Sequence, residues 1–280
     1  MLFEIITSID NAVLNSEVLS TLPKKNRRWF ITWGLVFSVL VMRGVLPWLV
    51  TWLAIPSSGP LGPLGRSVYQ DPETVMRLQA SAQLLLVAAG TSLLLIFLYW
   101  LFVERHRNKR QMPFLIFGFI ISGLLLIFAN GYLGPTDAIR RATAIGTILF
   151  LVLLTTKLLA KIPKQHMSLS AGYRARMIYL EVLDSIFSIE GVLGAFAFTF
   201  SVPLIVIGNG IGAIIVRNVT AIHGPKIRAI GFIKTGAMYA MGFIGLIMIC
   251  EGLGSQLPPW FPFLTTLVAM GLAFLQKNES

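Results

Sequence analysis

The sequence predicts an all-α, polytopic membrane protein, and three observations carry this prediction: composition, hydropathy and the length of the apolar stretches. Of the 280 residues, 55% are hydrophobic and 12% are charged, and the mean hydropathy is +0.77. Soluble domains carry about 25% charged residues, so a soluble fold of this length would lack polar surface. The chain instead divides into apolar stretches of about 16 to 27 residues, long enough to cross a hydrocarbon core of about 30 Å.

These stretches predict nine transmembrane spans. In chain order they are Leu2–Thr21, Trp29–Ile55, Val75–Val103, Pro113–Ala129, Ile139–Ala160, Met177–Thr199, Val202–Ile222, Ala229–Glu251 and Trp260–Leu275. Span 1 contains three acids and would score poorly on hydropathy alone. We expect a single transmembrane domain over residues 1–280, with repeat one at about 1–103, connecting helices at about 113–160, repeat two at about 177–251 and a final helix at about 260–275.

Lys and Arg residues alternate between loops along the chain. The loops after spans 1, 3, 5 and 7 are basic, whereas the intervening loops are almost without Lys and Arg. Since cytoplasmic loops carry the excess of Lys and Arg, the N-terminus is predicted outside and the C-terminus in the cytoplasm. This topology explains the net charge of +11, so we expect a lipid bilayer and no nucleic acid as partner. The single cysteine, Cys250, excludes an intramolecular disulfide.

The scarce acidic residues are concentrated in two of the nine predicted spans. Half of the 12 acids fall in spans 1 and 6. A carboxylate within a membrane costs a few kcal/mol by insertion scales, and it normally faces a polar interior and has a partner. The six acids that need such an explanation are Glu4, Asp10, Glu17, Glu181, Asp184 and Glu190.

Spans 1 and 6 also resemble each other. Residues 4–10 read EIITSID and residues 184–190 read DSIFSIE, so each has an acid, five residues and a second acid. The separation of Gly34 from Arg43 in span 2 recurs between Gly208 and Arg217 in span 7. Because spans 1 and 6 are five apart, they run in opposite directions. The pattern predicts an inverted-topology repeat, whose site lies near the midplane at the repeat interface.

The residue types in these two spans suit a hard divalent cation. Oxygen ligands bind Mg²⁺, Ca²⁺ or Mn²⁺, and the candidate ligands are Glu4, Asp10, Asn11, Asp184, Ser188 and Glu190, with Ser8 as a further hydroxyl. Several carboxylates in one low-dielectric site repel each other until a cation or a proton neutralises them. Such a site meets the requirement for a metal/proton exchanger.

The spacing of the paired acids raises a geometric question. Positions six apart on an ideal helix differ by about 240° around its axis, so Glu4 and Asp10 would not share a face. Two interpretations remain open. The helix is locally unwound, with Ser8, Asn11 and Gly191 as places for an irregular turn, or each acid meets a partner on a different neighbour.

A purely structural interpretation of the acids has to be weighed as well. Arg43 and Arg217 lie deep in spans 2 and 7, where they can act as counter-ions in a structural ion-pair network. Two arginines cannot neutralise four to six carboxylates, so negative charge remains for a ligand or for protons. Asn209 either lines the pathway or belongs to a small-residue packing face, and Tyr239 either bonds into the site or packs. No nucleophile–base pairing indicates an enzyme, and no prosthetic group is expected.

The strings FEIITSIDNAV and RRWFITWG, together with LDSIFSIEGVLGAFAFT in span 6, resemble the TerC family of membrane proteins. TerC-like proteins belong with the LysE-type transporter superfamily, and members are linked to manganese efflux and to tellurium-compound resistance. The resemblance covers most of the chain and implies the same six metal-site residues. It departs at Glu190, where the family often has Asp, and at Lys234, Thr235 and Met238, where related sequences can carry acidic and His residues.

These observations predict an exporter of a divalent cation, with manganese as the first candidate, that is coupled to protons. Two other functions stay open. One is a membrane scaffold or assembly factor for metal loading or secretion. The other is an amino-acid or organic-solute exporter, in which the acids couple protons and Arg43 or Arg217 binds a carboxylate.

Overall fold

The computed structural model describes residues 22–54, 59–64, 72–105, 137–161, 172–227 and 231–276, and these are helical or form turns. No β-strand occurs within these ranges, so the predicted all-α class is confirmed for them. Predicted spans Leu2–Thr21 and Pro113–Ala129 lie outside the described residues. The count of nine spans and the inverted repeat therefore stay predictions.

The first helical stretch is continuous but not uniform. Its α-helical parts are α1 (Lys24–Trp29), α2 (Leu35–Leu40) and α3 (Leu46–Ala54). They are joined by two π-helical turns, Phe30–Gly34 and Val41–Val45. Together these segments cover the predicted span Trp29–Ile55 as far as Ala54, the last described residue of this stretch. Because a π-helical turn inserts one residue into the hydrogen-bond ladder and often occurs at functional sites, both turns matter below.

Six further helices follow, and each coincides with a predicted span. They are α4 (Pro72–Tyr99, extended by the π-helical turn Trp100–Glu104), α5 (Asp137–Lys161), α6 (Tyr173–Ala195), α7 (Val202–Ile227), α8 (Gly231–Gly252) and α9 (Phe261–Gln276). Helix α7 continues five residues past its predicted end at Ile222. The apolar content of these segments was therefore sufficient to predict them as helices.

Helix α4 forms the centre of the packing, with α8 and α5 against it and α9 against α8. Leu93, Phe150, Ile244 and Met248 are among the fully buried side chains of this core. A methyl group at Gly245 would lie 2.8 Å from the Leu94 nitrogen and 2.9 Å from the Gly90 oxygen. Helices α4 and α8 are thus in backbone contact through glycines, the small-residue packing typical of membrane helices.

Three described helices are long and apolar enough to cross a membrane by length and composition: Ala82–Glu104, Asp137–Thr156 and Lys234–Gly252. Two shorter apolar helical stretches, Val202–Asn218 and Phe261–Leu272, accompany them. A run of apolar helices of this kind indicates a membrane protein.

Helix α7 has the reverse of a soluble amphipathic pattern. Its outward face carries exposed apolar side chains, including Leu204, Ile207 and Ile211, whereas the polar side chains of Asn209 and Arg217 are buried. In a soluble helix the apolar stripe faces the core and the polar side chains face water. The apolar exterior of α7 is explained if lipid surrounds it.

The helix ends that adjoin predicted basic loops lie beside one another. Asn26 Nδ2 at the start of α1 donates to Met177 Sδ near the start of α6, at 3.2 Å. A second pair of helix ends is formed by α8 and α4. Lys234 Nζ near the start of α8 lies 3.3 Å from Oε2 of Glu104, which ends the π-helical turn that extends α4. The two helix ends of each pair therefore lie close together, and the side of the membrane that they face stays a prediction.

Candidate functional site: a buried carboxylate–guanidinium cluster

Helix α6 brings three polar side chains to one face. Glu181, Asp184 and Ser188 follow each other at three and four residues, so they lie on the same side of the helix. Asp184 and Ser188 are 4% and 1% exposed, and Glu190, two residues further on, is 2% exposed. Charged groups are almost never buried this deeply without partners. For Glu181 and Asp184 the partners come from α7 and from the first helical stretch.

Arg217 of α7 links three parts of the chain. Its Nη2 donates to Asp184 Oδ2 at 2.7 Å and to Glu181 Oε2 at 3.4 Å. Its Nη1 donates to the backbone oxygen of Phe30 at 2.6 Å, and the guanidinium carbon lies 4.2 Å from the centroid of the Phe30 ring. Charge-assisted hydrogen bonds and cation–π contact both gain strength where water is excluded. Arg217 is therefore held by α6 and by the first π-helical turn together.

Arg43 approaches the same carboxylate from the second π-helical turn. Its side chain is among the most deeply buried in the described chain, with the residue 1% exposed. Its Nη1 lies 3.8 Å from Asp184 Oδ2. Asp184 thus lies between two guanidinium groups, and the prediction that Arg43 and Arg217 are counter-ions to span 6 acids is confirmed for Asp184.

Gly34, at the end of the first π-helical turn, makes room for the Glu181 carboxylate. A methyl group at this position would overlap Glu181 Oε1 and would lie 3.2 Å from Arg217 Nη1. A residue with a side chain at position 34 would therefore push apart the two charged groups that meet there. Glycine is needed at this position because the charged side chains lie so close to it, and not because the backbone adopts a positive φ.

The buried oxygens of the cluster without a hydrogen-bond partner among the described residues include Ser188 Oγ and Glu181 Oε1. An unsatisfied buried polar group costs about 1–3 kcal/mol, so each one calls for an explanation. Both oxygens can accept a bond from a ligand, from water or from the part of the chain outside the described ranges. They indicate where further polar groups fit.

The structure places three of the six predicted metal-site residues on one helix. Asp184, Ser188 and Glu190 are all on α6, and their buried positions agree with a polar interior. The other predicted ligands, Glu4, Asp10 and Asn11, lie outside the described residues. Within the described part of the chain, no group of three or more His, Cys, Asp or Glu side chains is arranged to hold a metal ion. The combined six-residue site stays a prediction.

The prediction of an irregular turn at Gly191 is wrong. Helix α6 is continuous from Tyr173 to Ala195 and passes through Gly191 without interruption. The Gly191 carbonyl receives a long hydrogen bond, 3.5 Å, from Asn209 Nδ2 of α7. A regular helix can keep Asp184 and Glu190 on different faces if each meets its own neighbours, which is the second of the two interpretations.

The packing interpretation of Tyr239 is confirmed. Its hydroxyl accepts a hydrogen bond from Arg105 Nη1, and its ring packs against Phe97 and Trp100. Arg105 also lies 5.8 Å from the centroids of the Trp100 and Tyr239 rings. These contacts form a separate aromatic and basic cluster where α4 ends and α8 begins.

Sequence reasoning missed the part played by Glu181, Gly34 and Phe30. Glu181 was counted among the acids of span 6 but was left out of the metal site, since the repeat match begins at Asp184. Its spacing of three residues from Asp184 was the signal that places both on one face. The contact through the Phe30 carbonyl had no such signal, because any residue type supplies a carbonyl oxygen.

The fold and the cluster together define a helical membrane protein with a buried ion-pair network between α6, α7 and two π-helical turns. The chain belongs to the family described as protein of unknown function (DUF475), whose profile matches residues 9–277. Comparison with curated proteins and with solved structures gives no match.

Proposed function

We propose that this protein exports a divalent metal cation, with Mn²⁺ as the first candidate, across the cytoplasmic membrane by alternating access. The observation that carries the proposal is the buried cluster itself. Three carboxyl groups, those of Glu181, Asp184 and Glu190, are carried by one helix in an apolar bundle. Ionisable groups within a membrane bundle mark ion or proton pathways by default.

The balance of charge supports a cationic cargo. Two guanidinium groups, those of Arg43 and Arg217, pair with two carboxyl groups of α6, those of Glu181 and Asp184. Glu4 and Asp10 of predicted span 1 would add an excess of negative charge to this cluster. A cation that binds on one side of the membrane neutralises the excess, and protons replace it when the cation leaves.

The donor set favours a hard cation over a soft one. The candidate ligands are carboxylate, amide and hydroxyl oxygens, which suit Mg²⁺, Ca²⁺ and Mn²⁺. The resemblance of spans 1 and 6 to the TerC family favours Mn²⁺ among these. In this proposal Glu4, Asp10 and Asn11 of span 1 meet Asp184, Ser188 and Glu190 of α6 at the repeat interface.

The predicted topology gives the route across the membrane. With the N-terminus outside and the C-terminus in the cytoplasm, Asp184 lies in the inner third of the membrane and Glu190 near its middle. Rocking of one repeat against the other then exposes the carboxylates to each side in turn. The pairing of Asp184 with Arg217 closes the inner side while no cation is bound.

Purified protein in liposomes is expected to move Mn²⁺ down its gradient. Asp10→Asn and Glu190→Gln are each expected to abolish this flux, because each removes a negative ligand from the site. Glu251→Gln is the matched control, since Glu251 lies at the end of α8, outside the set of predicted ligands, and its flux should equal that of the wild type. Undiminished flux in both site variants would rule out the site, and an absence of wild-type flux would rule out the transport function.

One observation favours a second candidate, an exporter of amino acids or other organic anions. Arg43 and Arg217 present two buried guanidinium groups, and the planar guanidinium fork suits a carboxylate. Both groups face Asp184, which such a substrate would have to displace. Flux in liposomes decides between the candidates: the metal proposal predicts Mn²⁺ flux that amino acids in excess leave unchanged, and the second candidate predicts amino-acid flux without Mn²⁺ flux.

A further inference from the structure

Glu181 is the one acid of the cluster that has no part in the predicted metal site. It lies one helical turn before Asp184, on the same face of α6. Its carboxylate is largely buried, with the side chain 12% exposed. Its two oxygens have different surroundings: Oε2 lies 3.4 Å from Arg217 Nη2, and Oε1 occupies the space left by Gly34.

Arg217 is arranged so that one nitrogen is fixed and the other is shared. Nη1 bonds the Phe30 carbonyl at 2.6 Å, and the guanidinium lies over the Phe30 ring. Nη2 serves both acids, at 2.7 Å from Asp184 and at 3.4 Å from Glu181. The short distance is a full charge-assisted hydrogen bond and the long one is a weak bond. In this structure Arg217 therefore favours Asp184, with Glu181 next to it as a second acceptor.

We infer that Glu181 is a positioning residue that receives Arg217 when Asp184 binds the transported cation. The inference rests on the proposed function and adds a step to it. Asp184 cannot offer its carboxylate to a cation while Arg217 occupies it, because the two positive charges repel. A shift of Nη2 from Asp184 towards Glu181 releases the Arg217 hydrogen bond on Asp184 and keeps Arg217 beside a carboxylate, while Arg43 stays at the longer distance of 3.8 Å from Asp184.

The surroundings favour this exchange over separation of the pair. The Phe30 carbonyl and ring hold the guanidinium in place, so the movement is a rotation about a fixed nitrogen. The absence of a side chain at Gly34 lets the Glu181 carboxylate lie this close to Arg217. Glu181 Oε1 has no hydrogen-bond partner among the described residues. Glu181 can therefore accept a stronger hydrogen bond from Arg217 than the present one.

The first test compares the Mn²⁺ affinity of Glu181→Gln with that of the wild type in the detergent-purified full chain. Electron paramagnetic resonance measures the free Mn²⁺ concentration, from which the affinity is obtained. A neutral amide is a weaker acceptor for a guanidinium, so Arg217 stays on Asp184 and the affinity is expected to fall about tenfold. The melting temperature should change little, because Asp184 still holds Arg217 in the metal-free state. Glu181→Asp, which keeps the charge, should recover part of the affinity.

A structural role for Glu181 predicts the opposite pair of results. In that case Glu181→Gln lowers the melting temperature and leaves the Mn²⁺ affinity unchanged, which would overturn the inference. Gly34→Ala serves as a second variant, since it displaces the Glu181 carboxylate without changing its charge. It is expected to weaken Mn²⁺ binding in the same direction, and unchanged binding in a folded Gly34→Ala protein would also contradict the exchange.

A metal-free measurement separates the failure of the exchange from the failure of the proposed function. Melting temperatures are compared for Glu181→Gln, Asp184→Asn and the double variant in the presence of a chelator. If the two acids are alternative acceptors of one guanidinium, the loss in the double variant exceeds the sum of the single losses. Additive losses would overturn the exchange and leave metal transport standing. A wild-type protein that binds no Mn²⁺ would overturn the proposed function, and with it the cation-driven step.

Discussion

Replacing Arg217 with Met is expected to destabilise the folded protein by about 3–5 kcal/mol, the range for removing one partner of a buried ion pair. The variant leaves Asp184 and Glu181 without the guanidinium that contacts both, and the Phe30 carbonyl loses a charge-assisted hydrogen bond. Methionine fills much of the arginine volume, so the effect reports on charge rather than on a cavity. Thermal unfolding of the detergent-purified protein measures it as a large fall in melting temperature.

Two further variants give this prediction its controls. Arg140→Met removes an arginine from an exposed pair in α5, 3.6 Å from Asp137, and should cost about 0–1 kcal/mol as surface pairs do. Arg217→Lys keeps the charge, but one ammonium group cannot reproduce the planar fork that reaches Phe30 and Asp184 together. The melting temperature of Arg217→Lys should lie between those of the wild type and Arg217→Met. Equal melting temperatures for Arg217→Met and Arg140→Met would contradict the role given to the buried pair.

Replacing Asp184 with Asn is the second prediction with a large effect. The asparagine has nearly the same shape but no charge, so two buried guanidinium groups lose a shared counter-ion. We expect a loss of about 3 kcal/mol in folding stability, the lower end of the range for a broken buried pair, because Glu181 still contacts Arg217. Under the proposed function, protein that remains folded should also lose Mn²⁺ flux in liposomes, because Asp184 is a ligand.

The matched control for this substitution is Asp137→Asn. The Asp137 side chain is 77% exposed, against 6% for Asp184, and each carboxylate faces at least one arginine. The same chemical change at the exposed position should cost about 0–1 kcal/mol and should leave flux unchanged. Similar losses at both positions would show that burial of the cluster does not govern its energetics.

Much of the fold could be predicted from hydropathy, because the number of residues that crosses a bilayer is set by its thickness. Helices α5, α8 and α9 accordingly begin and end within two residues of their predicted bounds. The three π-helical turns of the described chain could not be predicted in this way. An insertion of one residue into the helical ladder changes hydrogen bonding without changing composition, and it depends on the neighbours that the turn contacts.

The candidate site was predictable to the extent that it depends on charge. A carboxylate in an apolar span is costly, so its presence alone identified Asp184 and Glu190 as residues that need partners. The choice of partners depends on tertiary packing, and the sequence left open which acids Arg43 and Arg217 meet. Of the two interpretations of the paired acids, the irregular turn is not formed at Gly191, because a regular helix lets Asp184 and Glu190 meet different neighbours.

The arrangement of Asp184 links structure to the proposed transport in a simple way. The carboxylate that stabilises the metal-free state by pairing with Arg217 is the same group that a cation would use. Binding of the cation and release of Arg217 are then one competition, which ties occupancy of the site to a change in the contacts between α6, α7 and the first helical stretch. A site built from permanently paired groups would lack this coupling.

The most direct test of the central proposal is a cryo-electron microscopy or anomalous-scattering map of the protein with Mn²⁺ bound. The proposal predicts a metal density between predicted span 1 and α6, with Asp10 and Glu190 as ligands and with Arg217 displaced from Asp184 towards Glu181. A map that shows span 1 and α6 clearly, with Mn²⁺ absent from this interface or bound only at the protein surface, would contradict it.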